Sequence, residues 1–441
     1  MTTTTPSARP DIYFASGVRT PFAKVDGPLA ALDAIELSVP VVRHMLGTLG
    51  TATPDFAVWG TVIPNLTWSN LAREVLMDAG VPATIPAFST VMACSTSMVA
   101  ALEAAGMLDG GARTLALAGG VESMSHVQVG LGVDLSQWLR RFRAAKSFGA
   151  RLDALAALRR RDLRLYIPAV ANRSTGMSMG EHTEITAKEW RIDRDTQDRI
   201  ALASHEHAFA AWNRGFFDDL VIEVAGTRRD TLPRADTSLA RLAALRPAFD
   251  RQSGQGSLTA GNSSPLTDGA ASVWVATREG LARLPAATPR ARLVDFELAA
   301  VDFRREGLLM APAFAIPRLL ARHGLTYADI DLWEIHEAFA AQVAFHIKAL
   351  EDPQFLRERA GVDATFGAFP RDRVNPNGGS VALGHPFGAT GARILSQAVK
   401  ELAMRPVGQR AIVSICADGG QGSVALLQSA PRPSHSAGTA G

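Results

Sequence analysis

The stretch "VMACSTSMVAALEAA" (residues 91–105) places Cys94 among small residues, directly before a segment with helical character. A cysteine at a helix N-terminus faces unpaired backbone N–H groups and the positive end of the helix dipole, which favour the thiolate over the thiol. A thiolate is a nucleophile, but a free cysteine beside alanines is more often a small residue of the core. The rest of the chain decides between these two interpretations.

The composition is that of an ordinary globular protein. The chain has 441 residues, of which 47% are hydrophobic and 20% charged, and its formal net charge is +2. This length allows two or three domains, and the small net charge gives no reason to expect a nucleic-acid partner. The sequence contains no uninterrupted run of about 18 apolar residues, so we do not expect a membrane-spanning helix. The N-terminus lacks the apolar core of a secretory signal, so we expect a cytoplasmic protein.

The chain has two cysteines, Cys94 and Cys416, far apart in the sequence. Two such residues cannot make a disulfide framework, and with so few partners we expect no metal site. Both cysteines are therefore interpreted as thiols.

Short apolar runs alternate with helical patterns over residues 12–128 and again over residues 292–427. This alternation predicts parallel α/β layers. The two regions also resemble each other, because Cys94 and His385 each precede a helix that leads to a strand ending in glycines. The pattern predicts a duplicated α/β unit, with a cleft to which each half contributes a helix N-terminus.

Residues 129–253 between the two regions have a different character. Within them, residues 138–166 carry nine basic and two acidic side chains, and apolar residues recur at helical spacing. Such basic amphipathic helices can contact an anionic membrane, a partner or the phosphates of a ligand, or they can be solvated helix faces. The tail, residues 431–441, is rich in Pro, Ser, Gly and Ala and is expected to be disordered.

Three further residues carry the chemistry expected of a reactive site. His385 lies in the glycine-rich stretch "NPNGGSVALGHPFGATGARI", where glycine permits close backbone approach to a ligand. Cys416 lies where a strand ends in glycines, and His336 lies in "EIHEAFAA" at a strand-to-helix transition. Taken alone, each of these three residues could be a buried structural residue. Together with Cys94 they indicate one site.

Nine ordered blocks of this sequence resemble those of the thiolase family, and they cover almost the whole chain. The blocks are "GVRTPF" (17–22), "MACSTSMVAALEA" (92–104), "LAGGVESMS" (117–125), "GMSMGEHTE" (176–184), "RPAFD" (246–250), "GSLTAGNSSPLTDGAA" (256–271), "HEAFA" (336–340), "GGSVALGHPFGATGAR" (378–393) and "CADGGQGSVALL" (416–427). The "HEAF" form, where many thiolases have Asn-Glu-Ala-Phe, resembles the β-subunit of the trifunctional complexes that oxidise fatty acids.

The resemblance implies the thiolase fold, in which two duplicated βαβαβ-type halves form α/β layers and a loop domain is inserted in the first half. The expected boundaries are 1–128 with 254–291 for the N-terminal half, 129–253 for the CoA-binding loop domain and 292–430 for the C-terminal half.

The resemblance also implies a mechanism in which Cys94 is acylated and His385 accepts its proton. Cys416 would be the acid/base, while His336, in the place of the family's asparagine, would hold a water that joins His385 in one oxyanion hole. The backbone N–H groups of Cys94 and Asp418 would form the other. An acyl-cysteine intermediate predicts ping-pong kinetics.

Asp418 departs from the family pattern, which has Gly or Ala at that position. A carboxylate turned toward the thiols would raise their pKa values and oppose negative charge. We therefore expect the Asp418 side chain to point away from the site or to pair with a cation.

The resemblance implies coenzyme A as a substrate and no tightly bound cofactor. The residues expected to line its pantetheine tunnel are Met179, Ala260, Ser264, Ala338 and Phe339. The implied reaction is thiolytic cleavage of 3-oxoacyl-CoA in fatty-acid β-oxidation. The alternatives are the reverse Claisen condensation of a biosynthetic acetoacetyl-CoA thiolase, a decarboxylating ketoacyl synthase, and a non-catalytic protein that binds acyl-CoA or lipid.

Family habit implies a homodimer or homotetramer. The trifunctional-type resemblance adds two possible contacts: a hydratase/dehydrogenase α-subunit, and a membrane surface touched by residues 138–166.

Overall fold

The computed structural model describes residues 10–108 and 111–431. The predicted tail therefore lies outside the described residues, except for its first position. The strands are β1 (Tyr13–Arg19), β2 (Ala23–Lys24), β3 (Phe56–Gly60), β4 (Ala87–Phe88), β5 (Leu115–Glu122), β6 (Gly130–Leu131), β7 (Leu165–Tyr166), β8 (Thr267–Ala276), β9 (Arg290–Ala300), β10 (Leu332–Ile335), β11 (Arg410–Ala417) and β12 (Gln421–Ser429).

The α-helices are α1 (Ala34–Gly47), α2 (Leu71–Asp78), α3 (Thr96–Met107), α4 (Val133–Ala144), α5 (Phe148–Ala156), α6 (Met179–Glu189), α7 (Arg194–Asn213), α8 (Leu239–Ala243), α9 (Arg278–Leu281), α10 (Phe303–Glu306), α11 (Ala311–Arg322), α12 (Ala340–Leu350), α13 (Ser380–Leu383) and α14 (Thr390–Ala403). Short 3-10 turns lie at Met124–His126, Arg160–Asp162, Tyr327–Asp329 and Arg371–Arg373, and a π-helical turn lies at Phe355–Arg359.

The main sheet has the order β10-β11-β12-β9-β1-β8-β5-β3-β4, with β2 beside β8. Outward from the central antiparallel pair β1–β9, the order is β1, β8, β5, β3 on one side and β9, β12, β11, β10 on the other. In each half the second strand is antiparallel to its neighbours, and the outer two are parallel to each other. The predicted duplication of an α/β unit is confirmed.

The expectation of parallel layers holds for β3 with β5 and for β10 with β11, whereas β8 and β12 run antiparallel to their neighbours. For β12 the antiparallel direction follows from the connection to β11. The two strands are joined by a turn of three residues, and a connection that short can join only antiparallel strands. The same position of the first half, between β5 and β8, holds a long insertion that contains β6, β7 and α4 to α8.

Helices α3 and α14 lie between the two halves of the sheet and form the central core with both. On β3, Phe56 and Val58 face this central core, whereas Ala57 and Trp59 face α1 and α2 on the outer side. On β11, Val413 belongs to the central core. Its neighbour Ile412 packs instead in the outer core with α11 and α12. Successive side chains of these strands thus pack alternately into the central core and into an outer core, so each half of the sheet is buried on both faces.

The N-terminal turns of α3 and α14 touch each other. The Ala392 backbone N–H donates to Ser97 Oγ at 2.8 Å. A Cβ atom on Gly391 would lie 2.2 Å from the Met98 backbone nitrogen, so only glycine allows this approach. The two helix N-termini therefore meet at one place between the halves.

The inserted segment carries the basic helices α4 and α5, in which every residue is half-buried or exposed. Trp138 Nε1 donates to the Ala154 carbonyl at 2.7 Å and ties the two helices together. By contrast, α6 and α7 place buried residues against the C-terminal half. Within residues 10–108 and 111–431, no helix combines the length and apolar character needed to cross a bilayer.

The contact between α3 and α14 predicts a stability difference between two glycine substitutions. We expect Gly391→Ala to lower the free energy of unfolding by about 1–3 kcal/mol, because the added methyl overpacks the contact. Gly106→Ala, in the same helix layer but with nothing within 4 Å of the added atom, should raise it by up to about 1 kcal/mol. Denaturant unfolding of both variants measures this difference, and equal values would contradict the proposed constraint.

Candidate active site

Cys94 lies in a tight turn directly before α3. Ala93 has φ +44°, a strained value for a residue with a side chain. The Thr96 hydroxyl holds this turn, since it donates to the Ala93 carbonyl at 2.7 Å and accepts from the Met92 backbone N–H at 2.9 Å. Ser95 is the N-cap residue of α3, so Cys94 lies where the sequence places it.

His385 lies in the loop between α13 and α14. Gly384, at φ +98°, turns the chain, and the His385 backbone N–H donates to Thr267 Oγ1 at 3.1 Å. His385 Nδ1 lies 2.6 Å from Thr390 Oγ1, and that hydroxyl donates to the Pro386 carbonyl at 2.9 Å. Because a hydroxyl has one proton to give, Nδ1 carries the ring proton and Nε2 keeps its lone pair.

His336 follows β10, and its backbone N–H continues the ladder by donating to the Ser414 carbonyl at 2.8 Å. His336 Nδ1 lies 2.9 Å from Ser380 Oγ. The Nε2 atoms of His336 and His385 are buried and have no hydrogen-bond partner among the described residues. The two ring centroids are 4.2 Å apart. One ring nitrogen of each histidine and Cys94 Sγ lie within 4.8 Å of one another.

Cys416 is buried near the end of β11 and faces Gly422 of β12. Ser95, next to Cys94, forms a hydrogen bond with Ser423, which follows Gly422 on β12, and this contact brings Cys94 close to Cys416. The structure thus brings together the four residues that the sequence singled out, one from each of four motifs.

Burial keeps both thiols protonated in the resting site. Burial, together with the carboxylates of Asp418 and Glu122, raises the pKa of Cys94 to about 12, and the Cys94 backbone N–H only partly opposes this. Burial, with the nearby Cys94, raises the pKa of Cys416 well above its usual value. The helix N-terminus favours the thiolate of Cys94, as expected, but it does not outweigh the cost of removing that thiolate from water.

The imidazoles are neutral as well. Burial and, to a smaller extent, the positive charge of Arg393 lower the pKa of His385 to about 3. The same two causes, together with His385, hold the pKa of His336 well below its usual value. Proton transfer from Cys94 to His385 would thus create a charge on each of two groups that are neutral at rest.

Asp418 does not point away from the site. It lines the same cavity as Cys94, and its Oδ1 accepts from Asn172 Nδ2 at 2.8 Å and from the Gly419 backbone N–H at 2.7 Å. The nearby His182 is no cation partner at neutral pH, because burial lowers its pKa. The expectation of a distant or ion-paired carboxylate was wrong, since an amide from the inserted segment holds this side chain in place.

Glu122, from the block "LAGGVESMS", holds the loops around Cys94. Its buried carboxylate accepts from Thr61 Oγ1 at 2.8 Å, from the backbone N–H groups of Val62 and Ile63 at 3.0 Å, and from Gly388 at 3.1 Å. This one side chain thus joins the cavity wall of the first half to the His385 loop of the second. No local sequence pattern indicates this role, because the groups that donate to Glu122 lie about 60 to 266 positions away along the chain.

A cavity of about 540 Å³ opens onto Cys94, His385 and Asp418. Its wall is mostly apolar and includes Met179, Ser264, Ala338 and Phe339, four of the five residues expected to contact pantetheine. The fifth, Ala260, is exposed in a turn and is not part of this wall. Wall residues that the sequence analysis did not single out are Val62, Ile63, Pro64, Met124, Val127, Pro168, Val170, Phe249, Leu309 and Phe387.

One thiol and two imidazoles also make a donor set for a soft divalent cation. The same three groups are what acyl transfer through a thioester requires, so their grouping does not by itself indicate a metal.

Comparison with known proteins decides the family. Residues 12–279 match the family model described as "Thiolase, N-terminal domain", and residues 287–429 match "Thiolase, C-terminal domain". The chain belongs to the thiolase family. A 3-ketoacyl-CoA thiolase of Yersinia pestis is 37% identical over 425 residues, which cover 95% of this chain and 96% of the relative. A 3-ketoacyl-CoA thiolase of Yersinia pseudotuberculosis matches equally well.

Solved thiolase structures show the same fold. The Acat5 thiolase of Ascaris suum in complex with coenzyme A superimposes with a TM-score of 0.76 at 28% identity, covering 95% of this chain and all of that one. The acetyl-CoA acetyltransferase of Bacillus anthracis gives a TM-score of 0.79 at 30% identity, covering 96% of this chain and all of that one. This thiolase is accordingly an acyltransferase.

The position of Asp418 predicts a change in thiol reactivity. We expect Asp418→Asn to lower the pKa of Cys94, because it removes a negative charge that disfavours the thiolate. Since the thiolate is the reactive form, alkylation of Cys94 by iodoacetamide at pH 8 should be about three- to tenfold faster. Asp363→Asn, at an exposed loop position, is the control and should leave the rate unchanged. An unaltered rate in Asp418→Asn would show that this carboxylate does not act on the thiol.

Proposed function

We propose that this thiolase cleaves 3-oxoacyl-CoA with coenzyme A, giving acetyl-CoA and an acyl-CoA shortened by two carbons. The observation that carries the proposal is the grouping of Cys94, His336 and His385, of which Cys94 and His385 lie on the wall of an apolar cavity. The identity with 3-ketoacyl-CoA thiolases over almost the whole chain supports the same reaction.

In the first half-reaction, Cys94 Sγ attacks the C3 carbonyl carbon while His385 Nε2 takes the thiol proton. The C2–C3 bond then breaks, and its electron pair passes to C2 of the leaving acetyl-CoA enolate. Cys416 gives its proton to that carbon. The high pKa of the buried Cys416 thiol suits this step, because the group is protonated when the carbanion forms.

In the second half-reaction, the Cys416 thiolate takes the proton of the incoming coenzyme A thiol. The coenzyme A sulfur attacks the acyl carbon on Cys94, and the Cys94 sulfur leaves and regains its proton from His385. Charge on the thioester oxygen faces the two histidines, while charge on the C3 oxygen faces the backbone N–H groups of Cys94 and Asp418. The N-termini of α3 and α14 add two positive dipole ends.

Coenzyme A would enter along the apolar cavity. Met179, Ser264, Ala338 and Phe339 would contact its pantetheine arm, since they lie on the wall that leads to Cys94. The crystallised complex of the Ascaris suum thiolase with coenzyme A supports this ligand. Ala260, which lies outside the wall, would at most contact coenzyme A at the entrance.

The reverse Claisen condensation uses the same groups, and the structural neighbour from Bacillus anthracis, an acetyl-CoA acetyltransferase, keeps it as the second candidate. A decarboxylating synthase needs no second thiol, so the buried Cys416 beside Cys94 argues against that alternative. A non-catalytic binding role would not require unpartnered imidazole nitrogens beside a thiol.

The activity is tested by following coenzyme A-dependent loss of 3-oxoacyl-CoA with four- and sixteen-carbon substrates. We expect turnover that falls on the order of 10³-fold or more in Cys94→Ala, because the nucleophile is lost. Without coenzyme A, mass spectrometry should find one acyl group on Cys94. Preference for the longer substrate would support the role in β-oxidation. Unchanged turnover in Cys94→Ala would refute the proposal.

We also infer a homodimer or homotetramer, a cytoplasmic location, and a hydratase/dehydrogenase α-subunit as a possible partner. The "HEAF" block at His336 supports that partner, since it resembles the trifunctional-type branch.

Peripheral membrane contact through residues 138–166 is supported by the exposed helices α4 and α5. Phe148 is 80% exposed and Leu152 is 50% exposed, and both lie among arginines. Apolar side chains beside basic ones are what an anionic bilayer surface attracts.

We expect the protein to sediment with vesicles containing phosphatidylserine and less with neutral vesicles. Phe148→Ser combined with Arg151→Glu should weaken this binding several-fold, at unchanged activity. Arg228→Glu, on another exposed segment, is the matched control. Equal sedimentation with both vesicle types would exclude an electrostatic membrane contact.

A further inference from the structure

A chain of buried polar groups leads from Arg393 through Ser380 to His336. Arg393 lies in the first turns of α14 and is 2% exposed, and its Nη2 donates to Ser380 Oγ at 2.7 Å. Ser380, the first residue of α13, is fully buried and lies 2.9 Å from His336 Nδ1. The family mechanism given above uses neither Arg393 nor Ser380.

The hydrogen bonds along this chain fix the direction of each proton. A guanidinium can only donate, so Ser380 Oγ accepts from Arg393. The Ser380 hydroxyl proton then has His336 Nδ1 as its acceptor among the described residues. His336 Nδ1 therefore carries the lone pair, and the ring proton lies on Nε2.

His336 and His385 thus have opposite tautomers. Thr390 leaves His385 Nε2 with a lone pair, whereas Ser380 leaves His336 Nε2 with a proton. Both Nε2 atoms are buried without a partner beside Cys94. One can accept the thiol proton, and the other can donate a hydrogen bond at the same moment.

An unpartnered N–H in a buried site costs free energy that an arriving oxyanion recovers. The charge of Arg393 adds to this effect. That positive charge reaches the site, since it acts on both His336 and His385.

From this arrangement we infer that Ser380 and Arg393 are positioning residues that hold His336 with its Nε2–H directed at the thioester oxygen of the substrate. The donor to that oxygen is then His336 itself rather than a water held by it. The inference rests on the proposed thiolase reaction and explains why this chain has a serine and a histidine at these two positions.

A double-mutant cycle tests the inference. We expect Ser380→Ala to lower kcat about tenfold with little change in KM, less than the roughly 10²- to 10³-fold cost of deleting an oxyanion donor outright. In the His336→Asn background, where no imidazole tautomer remains, Ser380→Ala should have no further effect. Equal losses in both backgrounds, or no loss in either, would overturn the inference.

Ser396→Ala is the matched control. This serine is also buried on α14, but its hydroxyl bonds to Gly17 and Ser272, away from the site. It should lower stability without a tenfold loss of kcat, and a comparable loss of kcat there would show that Ser380→Ala acts only through packing.

A second measurement does not depend on activity. In protein labelled with ¹⁵N-histidine, the His336 signals are those that vanish in His336→Asn. We expect the pattern of an imidazole protonated at Nε2 in the unaltered protein and a shifted pattern in Ser380→Ala. Protonation at Nδ1 would overturn the inference. If the unaltered protein cleaved no 3-oxoacyl-CoA, the proposed function would fail, while this spectrum would still decide the tautomer.

Discussion

The contact between the N-terminal turns of α3 and α14 is the constraint on which the site depends. Each helix belongs to a different half of the duplicated fold, and each is preceded by a reactive residue, Cys94 or His385. Only because Gly391 lets the two backbones approach do these residues meet. The same contact directs two positive helix ends toward the place where a thiolate and an oxyanion would form. Packing of the core and assembly of the site are therefore one event.

A second principle is that the groups that exchange a proton, Cys94 and His385, are uncharged at rest. Burial disfavours a thiolate on Cys94 and an imidazolium on His385 by opposite pKa shifts, so the neutral pair is the ground state. The groups that would stabilise charge are nevertheless already in place, as unpartnered buried nitrogens and helix ends. An environment organised before the reaction does not need to reorganise during it, which is the usual source of electrostatic catalysis. The carboxylate of Asp418 has the opposite effect, because its negative charge raises the pKa of Cys94 and disfavours the thiolate.

The positions of Cys94 and His385 could be predicted from the sequence, whereas the direction of Asp418 and the pKa values of the thiols could not. Cys94 and His385 stand in motifs where local chain geometry determines what the residue faces, so the motif alone places them. The direction of Asp418 depends instead on Asn172, which lies 246 positions away in the inserted segment, and no local pattern encodes that contact. The thiol pKa values could not be predicted for a similar reason. They depend on how much water the folded halves exclude, whereas the helix dipole could be inferred from the sequence.

The two halves have the same strand order but use one connection differently. In the second half, β11 and β12 are joined by residues 418–420, and this short turn holds Asp418 on the same cavity wall as Cys94. In the first half the corresponding connection, between β5 and β8, contains the long inserted segment, which supplies part of the cavity wall. Chemistry requires fixed groups, whereas recognition of an acyl chain requires surface that can vary. A duplicated fold can provide both the fixed groups and the variable surface, because the connection is short in one half and long in the other.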